Sequence, residues 1–388
     1  MNRMKGIIAE QASENNNDLS LSNTSSYLEL VKESQKALKE VKSKEITFSK
    51  PILTHDSRAI IFPNTINVIQ GKSGVHKSRL AETLCSSFLK TGSCENELLG
   101  FQTNDLKSLV LCYIDTERNL TEQFPYALQM IQKQAGYTID AEPSNFEYAS
   151  LLEIPRAERF SVLQKYLELL REKHEDTHLI VVLDVITDCV SDFNRGDQSM
   201  QLIDLMNVAI NKQNVTFICV IHENPFSEKA RGHLGTEIFN KSSTTIQVAS
   251  LDQKENSTSE VIKLRFLKCR STKRHTPIHF KYCDSTKGLV LADQEEIEQV
   301  QERKKRTAKT DDMIEALSSY LADQELSRSD LLETLQGDLR GSERTIETRL
   351  KSIYDKKTTI LEKEDQTFIL QKKTKDREVI YFLQAIPF

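Results

Sequence analysis

Several features that would place a chain in a membrane or an oxidising compartment are missing from this sequence. No apolar run approaches the roughly 20 residues that a membrane-spanning helix requires. The longest, around Leu179–Leu183, stops at Asp184. Residues Met1 to Asn17 carry no apolar stretch of the kind that marks a secretory leader. The 7 cysteines (Cys85, Cys94, Cys112, Cys189, Cys219, Cys269 and Cys283) are odd in number, scattered, and form no CxxC pair. A reduced protein without structural zinc is the simplest reading. Nor is there an excess of positive charge. Lys and Arg number 52 against 57 Asp and Glu, for a net charge of −5, so the chain is no general nucleic-acid coat and any DNA contact must be local. No internal repeat is present. These absences lead to the expectation of a cytoplasmic protein with no membrane partner.

What is present suffices for one large domain and one or two small ones. The 388 residues are 38% hydrophobic and 28% charged, an ordinary composition with enough apolar material for a sizeable core. The Asn- and Ser-rich start, residues 1–24, is expected to be disordered. From Ser25 to about Lys44 the pattern is helical, with Tyr27, Val31, Leu38 and Val41 near one face. Disordered tail and helix together fill residues 1–45, and a domain over 46–293 follows.

From Thr65 onward, short apolar runs alternate with helical stretches. The runs are Ile66–Gln70, Leu109–Asp115, Phe146–Ala149, His178–Asp184 and Val215–Ile221. Helices are expected near Ser78–Thr91, Leu120–Gln134, Arg156–His174 and Gln198–Lys212. Runs such as LIVVLD lack period-2 alternation, as befits parallel strands covered on both faces. The alternation predicts a doubly wound α/β sheet. Beyond Ile221 the runs Thr244–Ala249, Val261–Leu267, Pro277–Cys283 and Leu289–Leu291 look like antiparallel additions to one edge.

The first strand runs into Gly71-Lys72-Ser73-Gly74-Val75-His76-Lys77-Ser78, which fits G-x-x-x-x-G-K-[ST] except that His76 replaces the second glycine. Such a loop curls backbone N–H groups around phosphate oxygens, and the helix that follows adds its positive dipole end. The nucleotide-binding set is therefore Gly71 to Ser78 with the adjoining Arg79. Lys77 would reach the β- and γ-phosphates, and the Ser78 hydroxyl would ligate Mg²⁺. His is among the non-glycine types enriched at positive φ. If His76 is held in a strained conformation, the cost is about 1–3 kcal/mol. An ordinary strand-to-helix turn is the bland alternative.

Three further segments end strands in polar residues. Glu117 closes the run Tyr113-Ile114-Asp115-Thr116-Glu117 and is the candidate base for an attacking water. Asp115 and Thr116 also suit a helix cap. Asp184 ends the second run and would hold Mg²⁺ through water. His222, in Val220-Ile221-His222-Glu223-Asn224, could sense a γ-phosphate or simply be structural.

Together these residues resemble the RecA superfamily, and within it the ring-forming helicases typified by plasmid RepA and DnaB. The resemblance covers roughly Thr65–Leu291, and RepA-like members sometimes lack glycine before the loop lysine. It implies a RecA-like ATPase that binds ATP and Mg²⁺, forms a homo-oligomer with a hexamer favoured, and passes single-stranded DNA through the ring. It further implies that Arg231–Glu237 is the loop facing DNA, with Arg231 and His233 as contacts. By the same resemblance Arg270 is an arginine finger reaching a neighbour's γ-phosphate and Lys268 its accessory cation. Lys268, Arg270, Lys273 and Arg274 form a basic cluster that could equally be a solvated hairpin tip.

Residues 294–310 read as a charged linker, partly helical. In the 311–388 segment, helical patterns cover Asp311–Ala322, Arg328–Leu335 and Ser342–Asp355, followed by β-type runs at Thr359–Leu361, Thr367–Leu370 and Val379–Leu383. Three helices and a hairpin form the layout of a winged helix-turn-helix. Its recognition helix would present Arg344, Arg349, Lys351 and Lys356 to duplex DNA, with Lys372, Lys373, Lys375 and Arg377 on or near the wing. From Gln301 to Phe388 there are 17 Lys and Arg against 17 Asp and Glu, so protein docking is an open alternative. The functional expectation is an ATP-hydrolysing protein acting on DNA, as a helicase or remodelling ATPase in replication or mobilisation of a genetic element. One alternative is a nucleotide-regulated DNA-binding protein with little hydrolysis. Another is a circadian-type RecA relative acting on protein partners.

Overall fold

The structure is a computed structural model and describes residues 25–92, 97–104, 109–251, 261–305, 308–322, 324–339, 341–363 and 366–387. The tail expected to be disordered, residues 1–24, and Cys94 lie outside the described residues. The chain divides into two units, Met1–Lys50 and Pro51–Phe388. In the first, α1 covers residues 25–42, and its Tyr27, Val31, Leu38 and Val41 side chains are exposed.

The second unit opens with a hairpin, β1 (Leu53–His55) and β2 (Arg58–Ile61), whose turn residues Asp56 and Ser57 both have positive φ. It pairs with β4 (Phe101–Thr103) in a small antiparallel sheet. The central sheet has nine strands. Six are mutually parallel: β3 (Ile66–Gly71), β5 (Leu109–Asp115), β6 (Phe146–Ser150), β7 (His178–Asp184), β8 (Val215–His222) and β9 (Thr244–Ser250). β10 (Ile262–Cys269), β11 (Ile278–Cys283) and β12 (Gly288–Leu291) extend one edge antiparallel, giving the order β12-β11-β10-β9-β3-β8-β7-β5-β6.

The strands are apolar at nearly every position because successive side chains point to opposite faces and both faces are covered. In β7, Ile180 and Val182 join a cluster with Leu80 and Leu84 of α2 (Lys77–Leu89) and Phe124 and Ile131 of α3 (Gln123–Gln134). Leu179, Val181 and Leu183 join another cluster on the opposite face. Their partners there are Leu163 and Leu167 of α4 (Arg156–Lys173), Leu202 and Met206 of α5 (Gly196–Lys212), and Leu234 and Ile238 of α6 (Gly232–Lys241). This α/β fold, a mixed and mostly parallel central sheet covered by helices on both faces, is the doubly wound sheet that the alternation predicts.

Two expectations need correction. Thr244–Ser250 is not an antiparallel addition, since it lies parallel to β3. The reason is α6, which supplies the crossover that parallel neighbours require. Gly232–Glu237 is accordingly helix rather than loop, with Arg231 at its N-cap position. The i, i+4 pair Leu234 and Ile238, both fully buried, gives this short helix its apolar face.

The segment expected as a charged linker forms α7 (Gln294–Lys305), and its Ile297 and Val300 pack with Leu251 and Val261. Three helices follow: α8 (Thr310–Tyr320), α9 (Arg328–Asp338) and α10 (Glu343–Asp355). Ser327 and Ser342 cap α9 and α10, accepting from the Asp330 and Thr345 amides. Strands β13 (Leu326–Ser327), β14 (Thr359–Lys363), β15 (Gln366–Lys375) and β16 (Glu378–Pro387) form an antiparallel sheet in the order β13-β16-β15-β14. The helices and strands share a core that includes Leu317, Leu335, Ile346, Ile353 and Leu370. Among the described residues, no helix is long and apolar enough to cross a membrane.

Candidate functional site

The carboxyl end of β3 passes directly into the loop and then into α2. Gly71 must be glycine, because a Cβ there would stand 2.3 Å from the Val248 carbonyl oxygen. Gly74 has φ +80, and a Cβ on it would meet nothing within 4 Å, so the loop is open on that side. His76 adopts φ 62 and ψ 30, the left-handed conformation anticipated for the residue in the glycine position. Its ring lies parallel to that of Tyr282 on β11, with centroids 5.6 Å apart and an interplanar angle of 5°. The loop's Lys72, Ser73 and Gly74 are exposed while Lys77 is buried.

The Lys77 amine donates to the Lys72 carbonyl oxygen at 2.6 Å and lies 3.2 Å from Nδ1 of His222. Among the described residues, no carboxylate pairs with it at contact distance. Burial lowers the Lys77 pKa, opposed by the charges of Asp184, Glu117 and Glu223. An ammonium can only donate, so this contact would use the Nδ1 lone pair of His222 and leave Nε2 as the ring's donor. That nitrogen faces Glu117 Oε1 at 3.8 Å. His222 holds the half-exposed Glu117 carboxyl below the ordinary glutamate range, against the opposite push of burial, with Lys77 and Arg118 acting in the same sense. Glu117 is thus ionised at neutral pH and open to solvent.

The Ser78 hydroxyl donates to Asp184 Oδ1 at 3.2 Å. The other oxygen of Asp184 accepts from the Tyr113 hydroxyl at 2.6 Å and from Arg118 at 3.1 Å. The Asp184–Val185 peptide bond is cis. Among the described residues, no group of three His, Cys, Asp or Glu side chains is placed to hold a metal. Ser78 and Asp184 fit a Mg²⁺ carried by a triphosphate, since one hydroxyl and one carboxylate oxygen meet at the loop and phosphate oxygens and waters complete such a shell.

Arg118 was missed by sequence reasoning. Its guanidinium donates to Asp115 at 2.6 Å, Glu82 at 2.6 Å, Asp184 at 3.1 Å and the Tyr113 hydroxyl at 2.9 Å. Glu82 also accepts from Arg79 at 3.0 Å. Burial raises the carboxyl pKa of both Glu82 and Asp115, and the arginines oppose that rise. One cation thereby ties α2, β5 and β7 together beneath the site. Its only sequence signal is its place directly after the Asp115-Thr116-Glu117 run. A second buried network also escaped notice. Glu223 accepts from Gln70 at 2.7 Å and Gln247 at 2.6 Å, and Gln247 in turn accepts from Arg265 at 2.8 Å. These partners are side chains of β3, β9 and β10, far apart in sequence.

Lys77, Ser78, Glu117, Asp184 and His222 therefore meet at the carboxyl edge of the parallel strands. Lys268 and Arg270 do not join them. Cys269 pairs with Thr244 at the amino end of β9, so the pair flanking it lies at the other edge of the sheet. There the Lys268 amine donates to the Asn240 carbonyl at 2.9 Å, and Arg270 donates to the same oxygen. Burial and the adjacent Arg270 lower the Lys268 amine to about 8. Arg231 and His233 are exposed at the start of α6, and the Arg231 guanidinium lies over the Phe193 ring. The Arg231 amide donates to the His222 carbonyl at 2.8 Å, a direct backbone link between the two segments. On α10, Arg344 and Lys351 are exposed and Arg349 is half-buried; Lys356, at its C-cap, is exposed.

No family model and no curated protein matches the chain. Among solved structures it is similar to the flagellar accessory protein FlaH from Methanocaldococcus jannaschii, at 15% identity and TM-score 0.42, covering 61% of this chain and 92% of that one. It is also similar to the RadB recombinase, at 13% identity and TM-score 0.41, covering 60% and 92%. A third solved structure, of an ATPase domain, gives 10% identity and TM-score 0.42, covering 59% and 85%. At these scores and identities the likenesses carry no weight for activity, and the geometry stands on its own.

Proposed function

We propose that this chain binds Mg·ATP at the Gly71–Ser78 loop and hydrolyses it while acting on DNA as a homo-oligomer, a helicase or remodelling ATPase of the kind typified by plasmid RepA and DnaB. The observation that carries the reading is the convergence of the Lys77 amine, the Ser78 and Asp184 oxygens, the His222 ring and the half-exposed Glu117 carboxylate at one strand edge. Lys77 would leave the Lys72 carbonyl for the β- and γ-phosphates, and Ser78 and Asp184 would hold Mg²⁺. Bound Mg²⁺ would neutralise charge building on the phosphate oxygens. Glu117 would accept a proton from the water whose oxygen bonds to the γ-phosphorus, as the bond from that phosphorus to the ADP oxygen breaks. His222 would follow the γ-phosphate and pass its position to α6 through the hydrogen bond that its carbonyl accepts from the Arg231 amide, moving Arg231 and His233 against DNA.

Lys268 and Arg270, remote from their own loop, are suited to act on a neighbour's nucleotide. Arginine fingers are worth about 10³–10⁵ in turnover, so an isolated subunit would be nearly inactive. In this reading residues 46–293 form the ATPase domain, 294–310 connect it, and 311–388 form a winged helix-turn-helix. Its α10 would present Arg344, Arg349, Lys351 and Lys356 to duplex DNA. The cationic side chains of Lys268 and Arg270 are tied to carbonyls of their own chain, and this favours a second reading, a nucleotide-regulated DNA-binding protein with little turnover.

ATPase assays with and without single-stranded DNA, alongside mass measurement with ATP, separate the two. The motor predicts DNA-stimulated turnover by an oligomer, reduced about 10²–10⁴-fold in Glu117→Gln with ATP binding intact. Binding without turnover, together with site-specific duplex binding, sinks the motor and supports the regulator.

A further inference from the structure

His76 holds a backbone conformation that an L side chain adopts reluctantly, in a loop whose Lys72, Ser73 and Gly74 are exposed to solvent. Gly74 has φ +80 and open space beside it, so nothing at that position stiffens the turn. The face of the His76 ring, however, lies against Tyr282 with an interplanar angle of 5° and a centroid distance of 5.6 Å, within the range of an offset stack. Tyr282 does not belong to the nucleotide-site strands. It sits on β11, three places from β3 in the sheet order, where it pairs with Leu289 of β12 and packs partly buried on the main core. Val75, the loop residue before His76, packs on that same core. The antiparallel edge thus supplies a fixed aromatic surface for the one loop residue that departs from the glycine pattern.

We propose that Tyr282 is a positioning residue of the phosphate loop: its ring clamps His76 in the left-handed conformation and so presets the loop amides for a triphosphate. The histidine and the tyrosine act as a unit. A glycine at position 76 would take the same φ without help and would make the clamp unnecessary. This rests on the nucleotide-site reading above, since a preset loop matters only if phosphate enters it.

The test is a double-mutant cycle on the full-length chain with two readouts: amide hydrogen exchange across residues 72–77 without nucleotide, and the affinity for Mg·ATP by calorimetry. In Tyr282→Ala the loop amides exchange faster and affinity falls between about twofold and tenfold, the range expected of an aromatic pair. Tyr282→Phe restores both. In a His76→Gly background, Tyr282→Ala changes neither, which a general loss of packing would not produce. Should Tyr282→Ala fold poorly, Tyr282→Leu keeps the apolar contact and removes the stacking face. Equal losses in both backgrounds, or unchanged exchange in the wild-type background, overturn the clamp. If no Mg·ATP binds at all, the nucleotide-site reading fails, while the exchange data still decide whether Tyr282 holds the loop.

Discussion

The strand-edge cluster around Asp184 and the charged surface of α10 contain the same residue types and treat them in opposite ways. Around Asp184, three carboxylates and a tyrosine hydroxyl converge on Arg118, and Glu82, Asp115 and Asp184 are each less than 5% exposed. On α10 the buried face is entirely apolar (Ile346, Leu350 and Ile353), and Arg344 and Lys351 stand in solvent. Charges in the first cluster are desolvated, so each depends on its partners and the geometry is fixed before any ligand arrives. On α10 Glu347 pairs with Arg328 and Arg349 is half-buried, but the solvent-facing Arg344 and Lys351 add little to folding and are available to a polyanion. One region commits its charges to structure and the other keeps them available.

The sharpest way to break this contrast is to remove Arg118. Arg118→Ala leaves three buried carboxylates short of their shared cation, and a loss of about 3–5 kcal/mol in unfolding free energy is expected from denaturant titration. A loss under about 1 kcal/mol would mean that the cluster is wetter and less interdependent than its geometry implies.

Next in size is a pH effect. Burial lowers the Lys77 pKa, so the free protein releases this proton at lower pH than an ordinary lysine. Phosphate requires the ammonium form, hence Mg·ATP affinity should decline as pH rises toward the alkaline side, before the ordinary lysine range is reached, with proton uptake on binding. Lys77→Arg should abolish the pH dependence, because a guanidinium stays charged throughout. Calorimetry in buffers of different ionisation enthalpy reads the uptake directly. Flat affinity up to the ordinary lysine range would remove burial as the controlling influence.

The smallest stability effect belongs to the exposed cations. Replacing Arg344 and Lys356 with alanine should leave unfolding free energy within about 0.5 kcal/mol per site. It should also reduce the steepness of the log-affinity against log-salt plot for duplex DNA by about one per lost phosphate contact. An unchanged slope would turn this surface toward protein docking.

Much of the parallel sheet is legible in the sequence because burial on both faces leaves continuous apolar runs. LVLCYID and HLIVVLD mark β5 and β7 to the residue. The loop and its His76 conformation are equally legible, since backbone requirements dictate residue type locally. Helix α6 is not, because its buried face offers only Leu234 and Ile238 as large apolar side chains beside the buried Gly235, in a segment that also contains Gly232 and about two charged or polar neighbours per turn. Without that helix, β9 reads as an antiparallel edge. The hairpin β1–β2 is too short for its alternation to register, and its Asp56-Ser57 turn lacks the usual Asn-Gly or Asp-Gly signature. The pairings of Arg118 with Glu82 and of Gln70 with Glu223 span 36 and 153 positions. Such long-range partners are set by strand order, which a single sequence specifies only through the completed fold.

The most direct measurement of the central claim is calorimetric titration of Mg·ATP into the full-length protein and into Lys77→Ala. A buried ammonium poised at an open glycine-containing loop predicts saturable 1:1 binding by the parent protein. Losing its charge-assisted hydrogen bonds should weaken binding by roughly 100-fold in the variant. Absence of Mg·ATP binding by the parent, or equal binding by both proteins, would contradict the account.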